Sequence, residues 1–316
     1  MRQKGSHDFG SAPSVIMEPP EVVLPDGEVF ARRAARLRDL VIRVPALDEY
    51  LSFMARVVQA QHLALSERKP AWQPPADAFD AALEHGLPPL GHTALRRDLD
   101  WRADLQAILE SLDLHAGQQQ RPLLQQLRQL PESTLEALAE RALDGRAAEP
   151  ALRGLQPLVA AALQVSWVRL AVNLPRPPAR LAGEARTLCP CCGAEAVVSV
   201  VHNEQHRSGV RYLHCGLCSS QWHLERLRCS LCGEGAKLRY LTLDDEHGKP
   251  YLPVQAEACG DCHGYRKLIA RDQDGHAEPL ADDLASLALD LALDLALGEG
   301  GEYARGGLNP LLVMGD

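Results

Sequence analysis

The spacing of apolar positions divides the chain into two unlike parts. From Gly27 to Leu174 apolar residues return at helical intervals, with proline and glycine punctuating the runs. In "EVFARRAARLRDLV" Val29, Ala34, Leu37 and Leu40 gather on one face and the arginines on another, which predicts a surface helix with its arginines in solvent. "ALDEYLSFMARVVQAQHLAL", after Pro45, carries Leu47, Leu51, Met54 and Val58 at i, i+4, i+7 and i+11, a stripe for the core. In "PESTLEALAERALDG" Ser133 and Glu136 predict a capping box, and Gly145 stands just past the expected end. The run 149–174 is largely apolar and predicts a long helix through the middle of this part, with Pro150 near its first turn and Pro157 bending or delaying it.

The connector "PRPPARLAGEART" is stiff and extended by composition. Beyond it the pattern shortens to "AVVSVVHNE", "VRYLHC" and "KLRYLTL", rich in valine and tyrosine and bounded by turn residues, which predicts strands. Residues 279–298 fit either period; their length, their lack of β-branched residues and the early Asp282 and Asp283 favour a helix. The closing "GGLNPLLVMGD" predicts an extended tail whose apolar residues tuck against the body. The expected order is an extended segment 1–26, a helical domain 27–174, a linker 175–185, small metal-bound β modules at 186–227 and 228–275, and a helix with tail at 276–316.

Composition narrows the function. The chain has 316 residues, enough for more than one core, and a formal charge of −9, which argues against general affinity for nucleic acid or anionic lipid. "MRQKGSHDFGSAPSVIMEPP" lacks the apolar core of an export signal. The longest apolar stretch, "LASLALDLALDLALG", carries Asp290 and Asp294, and one charge at mid-bilayer costs about 2.5–3.5 kcal/mol, so no membrane span is expected. All nine cysteines fall between positions 189 and 262. Such clustering reads as a site and not as a disulfide framework, and it suits a reducing cytoplasm.

Eight of the nine form four C-x-x-C pairs: Cys189 with Cys192, Cys215 with Cys218, Cys229 with Cys232, and Cys259 with Cys262. A tight turn of that spacing aims two thiolates at one point while its backbone N–H groups bond the sulfurs. Gly193 and Gly233 follow their pairs and supply the positive φ by which the chain leaves the turn. Separations of 22 residues between Cys192 and Cys215 and 26 between Cys232 and Cys259 leave room for a returning hairpin, so neighbouring pairs are expected to share a metal. The result is two tetrahedral thiolate sites in tandem rubredoxin-like or zinc-ribbon modules, with spacing alone accepting either zinc or iron. Cys191 lies inside the first turn and is expected to point away from its metal. His202, His206, His214, His223 and His263 lie nearby and are read as surface residues or neighbours of the ligands, not ligands themselves.

With those residues in place the chain is similar to the formate dehydrogenase accessory proteins of the FdhE family. The resemblance runs over nearly the whole sequence, through "VIRVPALDEYLSFMARVVQAQ", "CPCCG", "HCGLCSSQWHLERLRCSLCG", "EACGDCHGYRKLI" and "DDLASLALDLAL", with Trp222, Arg226, Tyr265 and Lys267 in order among the cysteine pairs. Cys191 departs from the pattern. The resemblance implies a cytoplasmic maturation factor, not an enzyme, that binds the catalytic subunit of a respiratory formate dehydrogenase before export. It also implies rubredoxin-type iron on the eight paired cysteines. The competing classes are a zinc-ribbon nucleic-acid binder and a rubredoxin-like electron carrier. Residues 186–275 hold eleven Lys or Arg against eleven Asp or Glu, so the basic patch of the first is missing. The second would not need the large helical domain.

Overall fold

The computed structural model describes residues 19–70, 73–75, 77–91, 101–179, 187–203, 209–235, 237–245, 247–296 and 303–313. A short strand, β1 (Val22–Val23), precedes helices α1 (Val29–Arg43) and α2 (Asp48–Glu67). Then come α3 (Asp80–Glu84), α4 (Trp101–Asp113), α5 (Gln120–Gln129), α6 (Glu132–Leu143) and α7 (Gln156–Val172). The second half holds β2 (Ala196–Val201), β3 (Arg211–Cys215), β4 (Gln221–His223), β5 (Leu238–Asp244), β6 (Pro250–Cys259) and β7 (Gly264–Ala270). Helices α8 (Pro279–Ala285) and α9 (Leu287–Ala296) and the strand β8 (Ala304–Arg305) complete the order.

The helical layer is organised around α7. Apolar residues lie on every side of it, with few polar ones among them, and all but Arg169, Leu170 and Val172 are buried. A helix apolar all round stays in water only if neighbours cover it, and α2, α4 and α6 do so. Pro157 occupies its first turn, so the helix starts at Gln156 after a separate turn of 3₁₀ geometry at Pro150–Leu152. Proline delays the helix there because its missing N–H is harmless in the first turn and disruptive later. The α2 stripe buries Leu51, Met54 and Val58, with Leu47 half-buried at its edge.

Two local expectations fail. Helix α6 begins at Glu132, directly after Pro131, and no side chain caps it. Pro131 holds φ −57° and ψ 148°, so the chain turns from extended to helical two residues earlier than the capping box requires. Ser133 is thereby drawn inside the helix, and Glu136 pairs with Arg102. The expected left-handed exit is present, with Gly145 at φ 65°. The C-terminal run forms two helices broken at Ser286, not one. Lys267, buried on β7, donates Nζ to the carbonyls of Asp283 and Ser286 at 3.0 and 3.2 Å, which turns backbone acceptors out of a continuous ladder. Of the expected span, residues 297 and 298 lie outside the described residues.

The strands form one sheet in the order β1-β4-β3-β2-β7-β6-β5, with β8 paired to β7. The segment bearing the first two cysteine pairs and the segment bearing the last two each supply a three-stranded antiparallel unit, β2-β3-β4 and β5-β6-β7. The units merge because β2 and β7 pair in parallel, Val198 opposite Lys267 through Val201 opposite Ala270. Both strands are buried along their whole length, as parallel strands inside a covered sheet are, although β7 takes Arg266 and Lys267 inside with it. At the far edge Val22 and Val23 pair with Trp222 and Gln221.

Two of the arginines of α1 overturn the solvated-face expectation, while Arg32 and Arg38 are exposed as expected. Arg33 and Arg36 are buried at 0 % and 4 % exposure, against α8. Arg33 Nε donates to Glu278 at 2.9 Å, and Arg36 forms a two-pronged pair with Asp282 at 2.9 and 2.6 Å. Helical periodicity shows which residues share a face; it does not show whether that face meets water or another charged helix. The tail reaches the body as expected, with Leu311 buried and Asn309 donating to Leu280 and Asp283. Arg36→Ala is expected to destabilise the protein by about 3–5 kcal/mol, because Asp282 is left charged and dry; equilibrium urea unfolding followed by circular dichroism measures it.

Candidate metal centres

The eight paired cysteines converge in two groups of four. Sγ atoms of Cys189, Cys192, Cys215 and Cys218 lie within 4.8 Å of one another, as do those of Cys229, Cys232, Cys259 and Cys262. These are the groupings that the loop lengths suggest. Each group is built alike: one pair sits in a turn before the first strand of its unit, the other in the hairpin joining β3 to β4 or β6 to β7. The turns close through backbone bonds, from Gly193 to Cys189 at 2.8 Å, Gly233 to Cys229 at 3.0 Å and His263 to Cys259 at 3.0 Å. Backbone N–H groups also reach the sulfurs at 3.4 Å, from Leu217 and Cys218 to Cys215, from Leu231 to Cys229 and from Asp261 to Cys259. They place positive dipole ends where thiolate charge accumulates.

The separations fit a tetrahedral metal. Sulfurs bonded at 2.3 Å to one centre stand about 3.8 Å apart. Cys192 and Cys215 are 3.4 Å apart, Cys189 and Cys218 3.6 Å, Cys229 and Cys262 3.8 Å, and Cys232 and Cys259 4.0 Å. None of the nine cysteines forms a disulfide. Burial pushes the Cys189 and Cys192 thiols well above their ordinary range. Burial also opposes charge on Cys218, yet hydrogen bonds from Cys189, Cys191, Cys192 and Cys215 hold that thiol well below its ordinary value. Cys229 is pushed up to about 12, chiefly by burial. Four thiolates in so small a dry volume repel one another, and a bound divalent or trivalent cation would remove that cost. Each group could therefore hold one metal ion, and its all-sulfur donor set suits zinc and iron alike. The first group is buried at all four positions, whereas Cys232 and Cys262 of the second are exposed.

The turns show what the glycine signal left out. The residue after the second cysteine has positive φ in all four pairs: 77° at Gly193, 81° at Gly233, 58° at Ser219 and 54° at His263. Ser219 and His263 are the positive-φ non-glycine residues among those described. Position within the pair, not residue type, was the signal that could have found them. Cys191 is not one of the converging four, but it does not turn away either. Its carbonyl accepts from Leu90 N–H at 2.7 Å, and its thiol is buried beside the group, where its neighbours Cys189, Cys218 and Ser220 bear on its ionisation. No histidine belongs to either group among the described residues. His202 and His214 are buried, not at the surface, and His206 lies outside the described residues. His202 Nε2 bonds Gln221 at 2.8 Å, His223 lies edge-on to Tyr212, and His263 stacks on Tyr303.

Two substitutions separate the roles within the first turn. Cys192→Ser is expected to lower metal content by one ion per chain and to unfold the local turn, since structural zinc in small domains supplies about 10 kcal/mol or more, whereas Cys191→Ser should keep both ions. Elemental analysis of the purified variants decides it, and equal loss would mean the wrong cysteine has been excluded. Gly193→Ala meets only Pro88 Cγ at 3.9 Å, so its cost is conformational. A loss of about 1–2 kcal/mol with metal content intact is expected in thermal unfolding.

Comparison with known proteins extends the agreement beyond the cysteines. Family models described as "FdhE, N-terminal", "FdhE, central domain" and "FdhE, C-terminal domain" match residues 19–183, 188–226 and 227–312 in turn. The "Protein FdhE homolog" of Cronobacter sakazakii is 36% identical over 288 residues, covering 91% of this chain and 89% of the relative, and that of Yersinia pseudotuberculosis aligns equally well. The crystal structure of the FdhE protein from Pseudomonas aeruginosa superposes with a TM-score of 0.79 at 36% identity, covering 94% of this chain and all of that one. Three consecutive family matches, near-complete relatives and a shared fold together establish that the chain belongs to the FdhE family.

Proposed function

We propose that this chain is a maturation factor, not an enzyme, that binds the immature catalytic subunit of a respiratory formate dehydrogenase in the cytoplasm. In this reading the eight paired cysteines, from Cys189 to Cys262, hold two metal ions, iron by family resemblance and zinc as the alternative. The observation that carries the proposal is family membership across the whole chain combined with the form of the cysteine groups. Four thiolates complete a tetrahedral coordination sphere and leave no position for a substrate. A metal held this way supplies folding energy by tying a turn to a hairpin.

The chain's own residues do the rest. The cysteine turns fix the ends of β3 and β6, and the merged sheet presents loops from both groups alongside α6, α7 and the tail. The charge balance of residues 186–275 leaves no phosphate-binding stripe, so a protein surface is the ligand class this architecture suits. Among the described residues no helix is long and apolar enough to cross a membrane. The test is a pull-down with the full chain against the catalytic subunit, with formate dehydrogenase activity measured in cells lacking the protein. Capture of the subunit and loss of activity are expected. Normal activity in those cells, or tight salt-resistant binding of DNA or RNA without capture, overturns the reading. An absorption spectrum and elemental analysis of protein purified without added metal are expected to give two ions per chain and to separate iron from zinc.

A further inference from the structure

A cavity of about 720 Å³ opens between one side of α1, from Val29 to Arg43, the facing ends of β3 and β4, and the loop leading into α8. The maturation reading does not use it. Part of its wall is His214, which precedes Cys215, and Ser219, which follows Cys218, so the cavity lies against the outer side of the first cysteine group. His214 is 2 % exposed, and neither of its ring nitrogens has a hydrogen-bond partner among the described residues. Every tautomer of imidazole carries at least one N–H, so a buried donor waits there for an acceptor. Arg33 repeats the pattern. Its Nε and Nη2 bond Glu278 and Ser219, both in the cavity wall, while its buried Nη1 has no partner among the described residues. Arg271 lines the same cavity and donates Nε to the Ala277 carbonyl.

Buried polar side chains are satisfied in most folded proteins, and exceptions clustered on one cavity point to a ligand with complementary atoms. We propose that this cavity binds a carboxylate group. In the wall the Arg271 guanidinium and the His214 imidazole N–H offer donors suited to a planar pair of oxygens, and Arg33, held behind Glu278 and Ser219, adds positive charge. A dianion such as phosphate suits the wall less well. Asp26, Asp39 and Glu278 stand in or beside it, and their charge offsets much of the arginines'. The carboxylate can come from a small free acid or from an acidic side chain of a peptide. Because the site touches the neighbours of Cys215 and Cys218, its occupancy is coupled to the geometry of that turn.

The test uses the full-length, metal-loaded protein with isotope-labelled histidine. The His214 ring signal, assigned with His214→Gln, is followed by NMR during titration with sodium acetate, with the blocked peptide acetyl-Gly-Asp-Gly-amide, with inorganic phosphate, and with sodium chloride at matched ionic strength. A saturable shift with acetate or with the peptide is expected, weakened at least tenfold by Arg271→Gln at unchanged metal content. Response to acetate assigns a free acid, and response to the peptide alone assigns a protein carboxylate. A response to phosphate only, a shift that tracks ionic strength, a saturable shift untouched by Arg271→Gln, or no saturable shift in any arm overturns the proposal. If Arg271→Gln does not fold, the titrations of the unsubstituted protein decide. Client binding is not involved, so this site and the maturation reading can fail separately.

Discussion

Eight sulfurs that must come together in fours set the geometry of the second half of the chain. Each pair needs a tight turn, and each turn must face another across a distance that admits one ion. That requirement fixes where strands begin and end: β3 and β6 stop at Cys215 and Cys259, and the neighbouring turns start the units that return to meet them. It also explains why left-handed backbone is concentrated there, including Ser219 and His263, where a side chain must accept a conformation that glycine takes freely. Strain at such positions persists only when surrounding structure over-determines it. The backbone bonds to Sγ and the second turn of each group provide that surrounding.

The sheet then converts two local solutions into one body. Pairing β2 with β7 in parallel buries both strands and leaves the two cysteine groups on a common framework. Buried charges cross the seams. Lys267 on β7 meets Asp283 and Asp290 at 3.3 and 2.6 Å, Arg305 reaches the same two acids, and the Tyr265 hydroxyl donates to Asp290. Between the helical layer and the sheet, Gln164 on α7 donates to the Gly216 carbonyl, and Arg33 and Arg36 of α1 reach α8. Losing one partner of such a dry pair costs more than the pair contributes, so these contacts fix which elements are neighbours more than they add stability. A surface composed of loops from the cysteine groups, the end of α6 and the tail is thereby held in one arrangement.

Several features could be read from the linear chain because they depend on short-range chemistry. The C-x-x-C spacing defines a turn whatever its surroundings, loop lengths limit which turns can meet, and a largely apolar run such as α7 must be covered. Proline at 157 and glycine at 145 act on their own backbone, and both act in the structure as their residue types dictate. The helix-versus-strand pattern and the four-by-four grouping of cysteines belong to this class.

What only the tertiary structure decided turns on partners distant in sequence. Arg33 and Arg36 are charged residues on a helix, and amphipathic periodicity assigns them to water; Glu278 and Asp282, more than 240 positions away, bring them inside. Ser133 has the spacing of a cap, but Pro131 places the helix start before it. Lys267 breaks a helix that its own sequence would continue, because its ammonium needs backbone acceptors once β7 is buried. The merging of the two units follows the same rule: β2 shows an apolar run and β7 a run interrupted by Arg266 and Lys267, and parallel pairing across more than sixty residues is invisible to any local pattern. Sequence determines what each segment can do with its own backbone and nearest neighbours, whereas the fate of a charge or a strand edge depends on which remote group removes it from water.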